Sequence, residues 1–189
     1  MKSYNNDIAN SLSVLGNGGI ILYPTDTIWG IGCDATNPVA IKKIYNLKKR
    51  EEKKSMIILL AIEDDLKKFV LHPSKKLIDF LVTQANPTTA IFKNAINLPA
   101  LLVNEDGSIA IRIIRDDFCN NLINDFKNPI VSTSANISGS DSPKIFSDVS
   151  VAIKNGVDYI VQHRQEEIKT FEPSSIIKLN EAGEIEKIR

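Results

Sequence analysis

Cysteine and histidine are scarce: the 189 residues contain only Cys33, Cys119, His72 and His163. The two cysteines lie far apart and form no C-x-x-C pair. That excludes a disulfide scaffold and a closed tetrahedral zinc site, and makes a reducing cytoplasm the expected home. Neither histidine falls in a polar motif, so Ser–His–Asp and Cys–His catalysis is excluded as well. No apolar run approaches the roughly 18 residues of a membrane span, so no membrane contact is expected. The segment from Met1 to Asn10 is polar and lacks an apolar core, so no export signal is expected either. Net charge is zero, with 23 Lys and Arg against 23 Asp and Glu.

The remaining composition is that of a globular chain large enough to bury a core in one domain, taken as residues 1–189. Charge is unevenly spread. From Lys42 to Lys54 there are seven basic residues against Glu51 and Glu52. Such a cluster attracts phosphate or nucleic acid, or forms a solvated helix face.

Hydrophobic spacing gives the element order. Ile8, Leu12 and Leu15 mark a first helix, ended by Gly16–Gly19. Ile20–Tyr23 reads as a buried strand stopped by Pro24, and Ile28–Cys33 as a second, with Gly30 and Gly32 permitting close backbone approach. Asn37-Pro38 starts a helix that carries Ile41, Ile44, Tyr45 and Lys48 on one side. Met56–Ala61 is a central strand. Helices are expected at Asp64–Val70 and Ser74–Ala85, then strands at Thr89–Phe92, Ala100–Val103 and Ser108–Ile113. A helix over Asp116–Phe126 precedes a strand at Ile130–Thr133 and a polar loop, Ser134–Pro143. A helix near Val149–Asn155, a strand at Tyr159–Val161 and a hairpin of Ile176–Leu179 with Ile185–Ile188 complete the chain. Strict βαβ alternation is absent, so the fold class is α/β: a single domain with a twisted mixed β-sheet flanked by helices.

Four segments place small, polar and cationic groups at strand ends. Tyr23-Pro-Thr-Asp-Thr-Ile-Trp-Gly-Ile-Gly32 joins two buried strands through a polar turn, which is either a ligand cradle or a self-satisfied hairpin. Lys48-Lys-Arg50 follows a helix. If the chain is extended there, Lys48 and Arg50 point the same way and can clamp a triphosphate. Ser132-Thr-Ser-Ala-Asn-Ile-Ser-Gly139 offers four hydroxyls and an amide at a strand end, which suits phosphate or carboxylate. In Ser108-Ile-Ala-Ile-Arg-Ile113, alternation puts Arg112 opposite Ile109, Ile111 and Ile113, where it needs an anion, an aromatic partner or an ion pair.

These four segments, in this order and spacing, resemble the signatures of the YrdC/TsaC family, the threonylcarbamoyl-AMP synthases, in its short bacterial form. The resemblance covers about residues 8–189. It implies a nucleotidyltransferase that makes threonylcarbamoyl-AMP and pyrophosphate from L-threonine, bicarbonate and ATP. The product would pass to the tRNA threonylcarbamoyl transferase complex for tRNA modification, and RNA contact is an added expectation. Thr27, Arg112, Ser134 and Ser174 are then expected at the threonine. Lys48, Arg50, Lys54, Pro87, Thr89, Ser132, Asn136 and Arg189 are expected at ATP. Mg2+ would arrive on the ATP phosphates, with no protein metal ligands and no catalytic side chain. The chain departs from the family pattern at several places. Ala85-Asn86-Pro87-Thr88-Thr89 stands for Pro-Gly-Pro-x-Thr, Glu51 for a Pro, Lys54-Ser55 for Asn-Pro, and Leu59 for a His. A YciO-type paralogue and a non-catalytic RNA-binding module are the alternatives.

Overall fold

The computed structural model describes residues 4–52, 56–168 and 170–189. The chain begins with α1 (Asn5–Gly16), the hairpin β1 (Ile21–Tyr23) and β2 (Gly30–Gly32), and α2 (Pro38–Lys48). Asn37 caps α2, its Oδ1 accepting from the N–H groups of Val39 at 3.0 Å and Ala40 at 3.1 Å. This joins a side-chain cap to a proline already set for the first helical position. Then follow β3 (Ile57–Leu60), the short α3 (Leu66–Phe69), α4 (Lys75–Thr83), β4 (Thr88–Phe92) and β5 (Ile109–Ile113). The last third is α5 (Asp117–Phe126), β6 (Ile130–Ser134), α6 (Val151–Gly156), β7 (Tyr159–Ile160), β8 (Ser175–Leu179) and β9 (Ile185–Lys187).

One mixed sheet takes the order β7-β1-β2-β6-β3-β5-β4-β8-β9. The pairs β1–β7, β3–β5 and β4–β8 are parallel, and the others are antiparallel. Strand β6 joins the two halves: Ile130–Ser132 pair with β3, whereas Thr133 and Ser134 pair with β2. Alternation along the strands divides the core. Ile58, Leu60, Ile111 and Val131 pack on one face with Ile41, Ile44, Leu77 and Ile153 of α2, α4 and α6. Leu59, Ile130, Ile21 and Tyr23 pack on the other with Ile8, Leu15, Phe118 and Leu122 of α1 and α5. Among the described residues no helix is long and apolar enough to cross a membrane.

Two expectations are corrected. Ala100–Leu102 is a 3₁₀ turn rather than a strand. The Pro99 and Ala100 carbonyls accept the N–H groups of Leu102 and Val103, and Leu102 alone of the turn is buried. A local turn thus consumes the groups a ladder would need. In the Asp64–Val70 region only Leu66–Phe69 is α-helical, after a 3₁₀ turn at Glu63–Asp65.

Candidate functional site

Helices α1 and α5 cover only part of the second sheet face. Over the rest lies an open cavity of about 250 Å³, lined by residues that include Thr27, Gly30, Arg50, Arg112, Ser132, Ser134, Ser142, Ser174 and Arg189. It therefore gathers residues from the first hairpin, the segment after α2, and strands β5, β6 and β8.

The turn between β1 and β2 is stiffened from within. Thr25 Oγ1 donates to the Ile28 carbonyl at 2.8 Å, accepts from the Thr27 N–H at 3.0 Å, and lies 2.9 Å from Thr27 Oγ1. The two glycines behind it carry a packing role. A Cβ on Gly32 would stand 2.7 Å from both Tyr23 Cε1 and the Val131 carbonyl, so only glycine fits beneath that ring.

Arg112 is the centre of the site. It is 3% exposed, and alternation along β5 places it on the cavity face as expected. Its Nη1 donates to Thr27 Oγ1 at 3.2 Å. Its Nη2 lies 3.2 Å from Asp26 Oδ1, an ion pair whose geometry leaves Asp26 Oδ1 without a proper hydrogen bond. Its Nε is buried and has no acceptor among the described residues. Arg112 lines the cavity, and a guanidinium in a cavity wall can meet a ligand oxygen. Burial pushes the Asp26 carboxyl above the usual carboxylate range, and Arg112 offsets only part of that.

Arg50 lines the cavity, and burial lowers its pKa. Arg189 also lines it, donating from Nε and Nη2 to the Ser174 carbonyl at 3.3 and 3.1 Å. Ser174 Oγ in turn pairs with Thr89 Oγ1 at 2.8 Å. Arg50 and Arg189 thus line the same cavity as Arg112 and Thr27.

Other expected residues stand behind the wall. Lys48 is 1% exposed and outside the cavity lining. Its Nζ donates to the carbonyls of Ser134 and Asn136, the latter at 2.6 Å, and reaches Asn136 Oδ1 at 3.4 Å. The expected side-by-side clamp of Lys48 with Arg50 is not formed. Lys49 takes the left-handed conformation that ends α2, so the two neighbours are turned apart. Burial, with Arg50 adding to it, pulls the Lys48 pKa down to about 8. Asn136 Nδ2 donates to the carbonyls of Ile137 and Ser140, folding its own loop. Thr89 is fully buried behind Ser174, and Pro87 faces an adjoining cavity with Asp26, Asn86 and Arg115. Lys54 lies outside the described residues. The sequence pattern assigns no individual role to Ser142 or Asp26. Asp26 was visible as the only acid in a turn of hydroxyls, and Ser142 as one more hydroxyl in the polar loop.

Comparison with known proteins gives consistent matches. The Sua5_yciO_yrdC family, described as "Telomere recombination", matches residues 13–189. The threonylcarbamoyl-AMP synthase of Pseudoalteromonas translucida is 30% identical over 157 residues, 82% of this chain and 84% of that one. Its counterpart from Hahella chejuensis is 31% identical over 153 residues, 80% of this chain and 83% of that one. The crystal structure of P. abyssi Sua5 complexed with L-threonine superimposes with a TM-score of 0.83 at 21% identity. The match covers 96% of this chain and 53% of that one, so the chain spans about half the length of that protein.

Proposed function

Since the chain belongs to the Sua5/YciO/YrdC family, we propose that it condenses L-threonine, bicarbonate and ATP into threonylcarbamoyl-AMP, with release of pyrophosphate. The observation that carries this reading is the buried Arg112 guanidinium in the cavity wall, bonded through Nη1 to the Thr27 hydroxyl, with Arg50 and Arg189 lining the same cavity. In this reading the threonine carboxylate takes Arg112, and the triphosphate lies towards Arg50 and Arg189. The threonine amine takes up bicarbonate with loss of water to give a carbamate. A carbamate oxygen then attacks the α-phosphorus, the P–O bond to the β-phosphate breaks, and pyrophosphate leaves. That is nucleotidyl transfer, and it calls for alignment and charge neutralisation rather than a protein nucleophile. Among the described residues no group of three or more His, Cys, Asp or Glu side chains is placed to hold a metal ion. Magnesium, in this reading, enters on the ATP phosphates and neutralises their charge.

The product would serve tRNA modification through a threonylcarbamoyl transferase complex in the cytoplasm. The test is threonine- and bicarbonate-dependent release of pyrophosphate from ATP, with the adenylate identified by mass. Pyrophosphate release indifferent to threonine would remove the reading and leave the YciO-type alternative. RNA affinity that falls steeply with salt, without turnover, would favour the binding module.

A further inference from the structure

Buried Arg112 sits among partly buried charges. Asp26 pairs with Arg112. Asp116 raises the proton affinity of Asp26 and is itself paired with Arg164. Glu167 Oε2 also lies 3.9 Å from Arg164 Nε, so the set is three acids against two guanidiniums. Other titratable groups feel this set, the buried Tyr23 through Arg112 among them. Cys119 donates to the Pro24 carbonyl at 3.2 Å, and burial holds its thiol protonated. His163, between Tyr4 and Phe118, senses Asp116 and Arg164. Asp26 itself faces the adjoining cavity and is absent from the ligand cavity's lining.

A guanidinium fork accepts phosphate or sulfate as readily as carboxylate, so its shape does not separate them. Charge can. We propose that Asp26 is a specificity-determining residue: by cancelling the Arg112 charge from behind, it reserves that end of the cavity for a singly charged carboxylate and turns away doubly charged oxyanions. This rests on the proposed reading, in which Arg112 takes the amino-acid carboxylate. The reaction makes such discrimination useful, since its own triphosphate and pyrophosphate could otherwise occupy Arg112. With Asp26 ionised, a dianion leaves the corner with one more surplus negative charge than a monoanion does. At a few ångströms in a partly dry site, each surplus charge weakens binding by roughly tenfold or more.

Sulfate is the probe, because it stays a dianion from pH 5 to 8. Threonine-dependent pyrophosphate release is measured at saturating ATP and magnesium with increasing sulfate, alongside calorimetric binding of threonine. In the wild type at pH 7.5, sulfate should leave the apparent threonine requirement almost unchanged. In Asp26→Asn it should compete with threonine, its inhibition constant falling at least tenfold. Asp26→Glu should restore the wild-type pattern. Burial raises the proton affinity of Asp26, so sulfate competition should grow as the pH is lowered in the wild type and stay flat in Asp26→Asn. Changes at His163 occur in both proteins and cancel in that difference. If Asp26→Asn does not fold, the wild-type pH series still decides. Equal sulfate discrimination in wild type and Asp26→Asn, or a wild-type pH series without a trend, overturns the proposal. A wild type that neither binds nor turns over threonine overturns the reading beneath it instead.

Discussion

Two buried cations, on opposite sides of the same wall, have opposite hydrogen-bond accounts. Lys48 places its ammonium against three acceptors, two carbonyls and an amide oxygen of the Ser134–Asn136 segment. Arg112 has one N–H on Thr27, one beside Asp26, and a buried Nε with no acceptor among the described residues. Both are almost wholly inaccessible, so burial alone does not distinguish a structural cation from a binding one. Position does. The Lys48 ammonium holds a loop in place, whereas the Arg112 guanidinium stands in the cavity lining.

The largest effect should come from breaking the Arg112 side. Arg112→Lys keeps a charge but removes the fork, together with the contacts to Thr27 and Asp26. Each charge-assisted contact is worth about 1.5–3 kcal/mol, so loss of two should lower kcat/KM for threonine by roughly a hundredfold to ten-thousandfold. The dependence on ATP should move far less. Steady-state kinetics with each substrate varied in turn make the check. Equal losses for both substrates would place Arg112 between the two rather than at the amino acid.

The Lys48 side should break as structure. Lys48→Met leaves two carbonyls of the loop unpaired, costing about 2–4 kcal/mol, or roughly 5–15 °C in Tm for a chain of this size. Arg50→Met, two residues on, should leave Tm within a few degrees and raise the ATP requirement about tenfold to a hundredfold. Thermal melts set beside ATP titrations separate the pair. Should Lys48→Met spare Tm and weaken ATP alone, the lysine would have to leave its carbonyls to meet the nucleotide. A depressed lysine pKa also fixes a sign. Between about pH 8 and the ordinary lysine range, the unfolded chain holds a proton that the native state has shed. Stability from this group therefore rises with pH across that window. The Tm advantage of wild type over Lys48→Met should widen from pH 8 to 10.

How much of this was legible follows from the range of each determinant. The Asn37 cap and the Arg112 facing were readable, because a capped first turn and a two-residue alternation are local. The pairing of Arg112 with Thr27 was not, because they are 85 residues apart and meet only through the sheet order. The Lys48–Arg50 clamp failed on one backbone angle, since Lys49 takes φ 49° and ends the extended geometry the pattern assumed. Ala100–Val103 has the apolar run of a strand, yet the segment after Pro99 closes its hydrogen bonds locally. Thr89 and Pro87 sit in a recognisable motif, but which side of the wall each faces depends on packing of β4 against β8.

The smallest and most selective change is Thr27→Val. Valine matches threonine in shape and fits the same buried turn, so the backbone should hold. What disappears is one oxygen, which accepts from Arg112 Nη1 at 3.2 Å and lies 2.9 Å from Thr25 Oγ1. Thr25 keeps its bond to the Ile28 carbonyl, so the turn loses one of several internal contacts. Arg112 then gains a second buried N–H without an acceptor, and its fork is no longer held at that corner. Loss of one such contact costs about 1–2 kcal/mol, a fivefold to thirtyfold rise in the threonine requirement. The ATP requirement should stay within about twofold, because Arg50 and Arg189 are untouched. If the threonine requirement rises as far as in Arg112→Lys, the hydroxyl itself meets the substrate instead of steadying the arginine. If ATP dependence moves and threonine dependence does not, the amino acid lies on the Arg50–Arg189 side, and the contrast between the two cations loses its functional meaning.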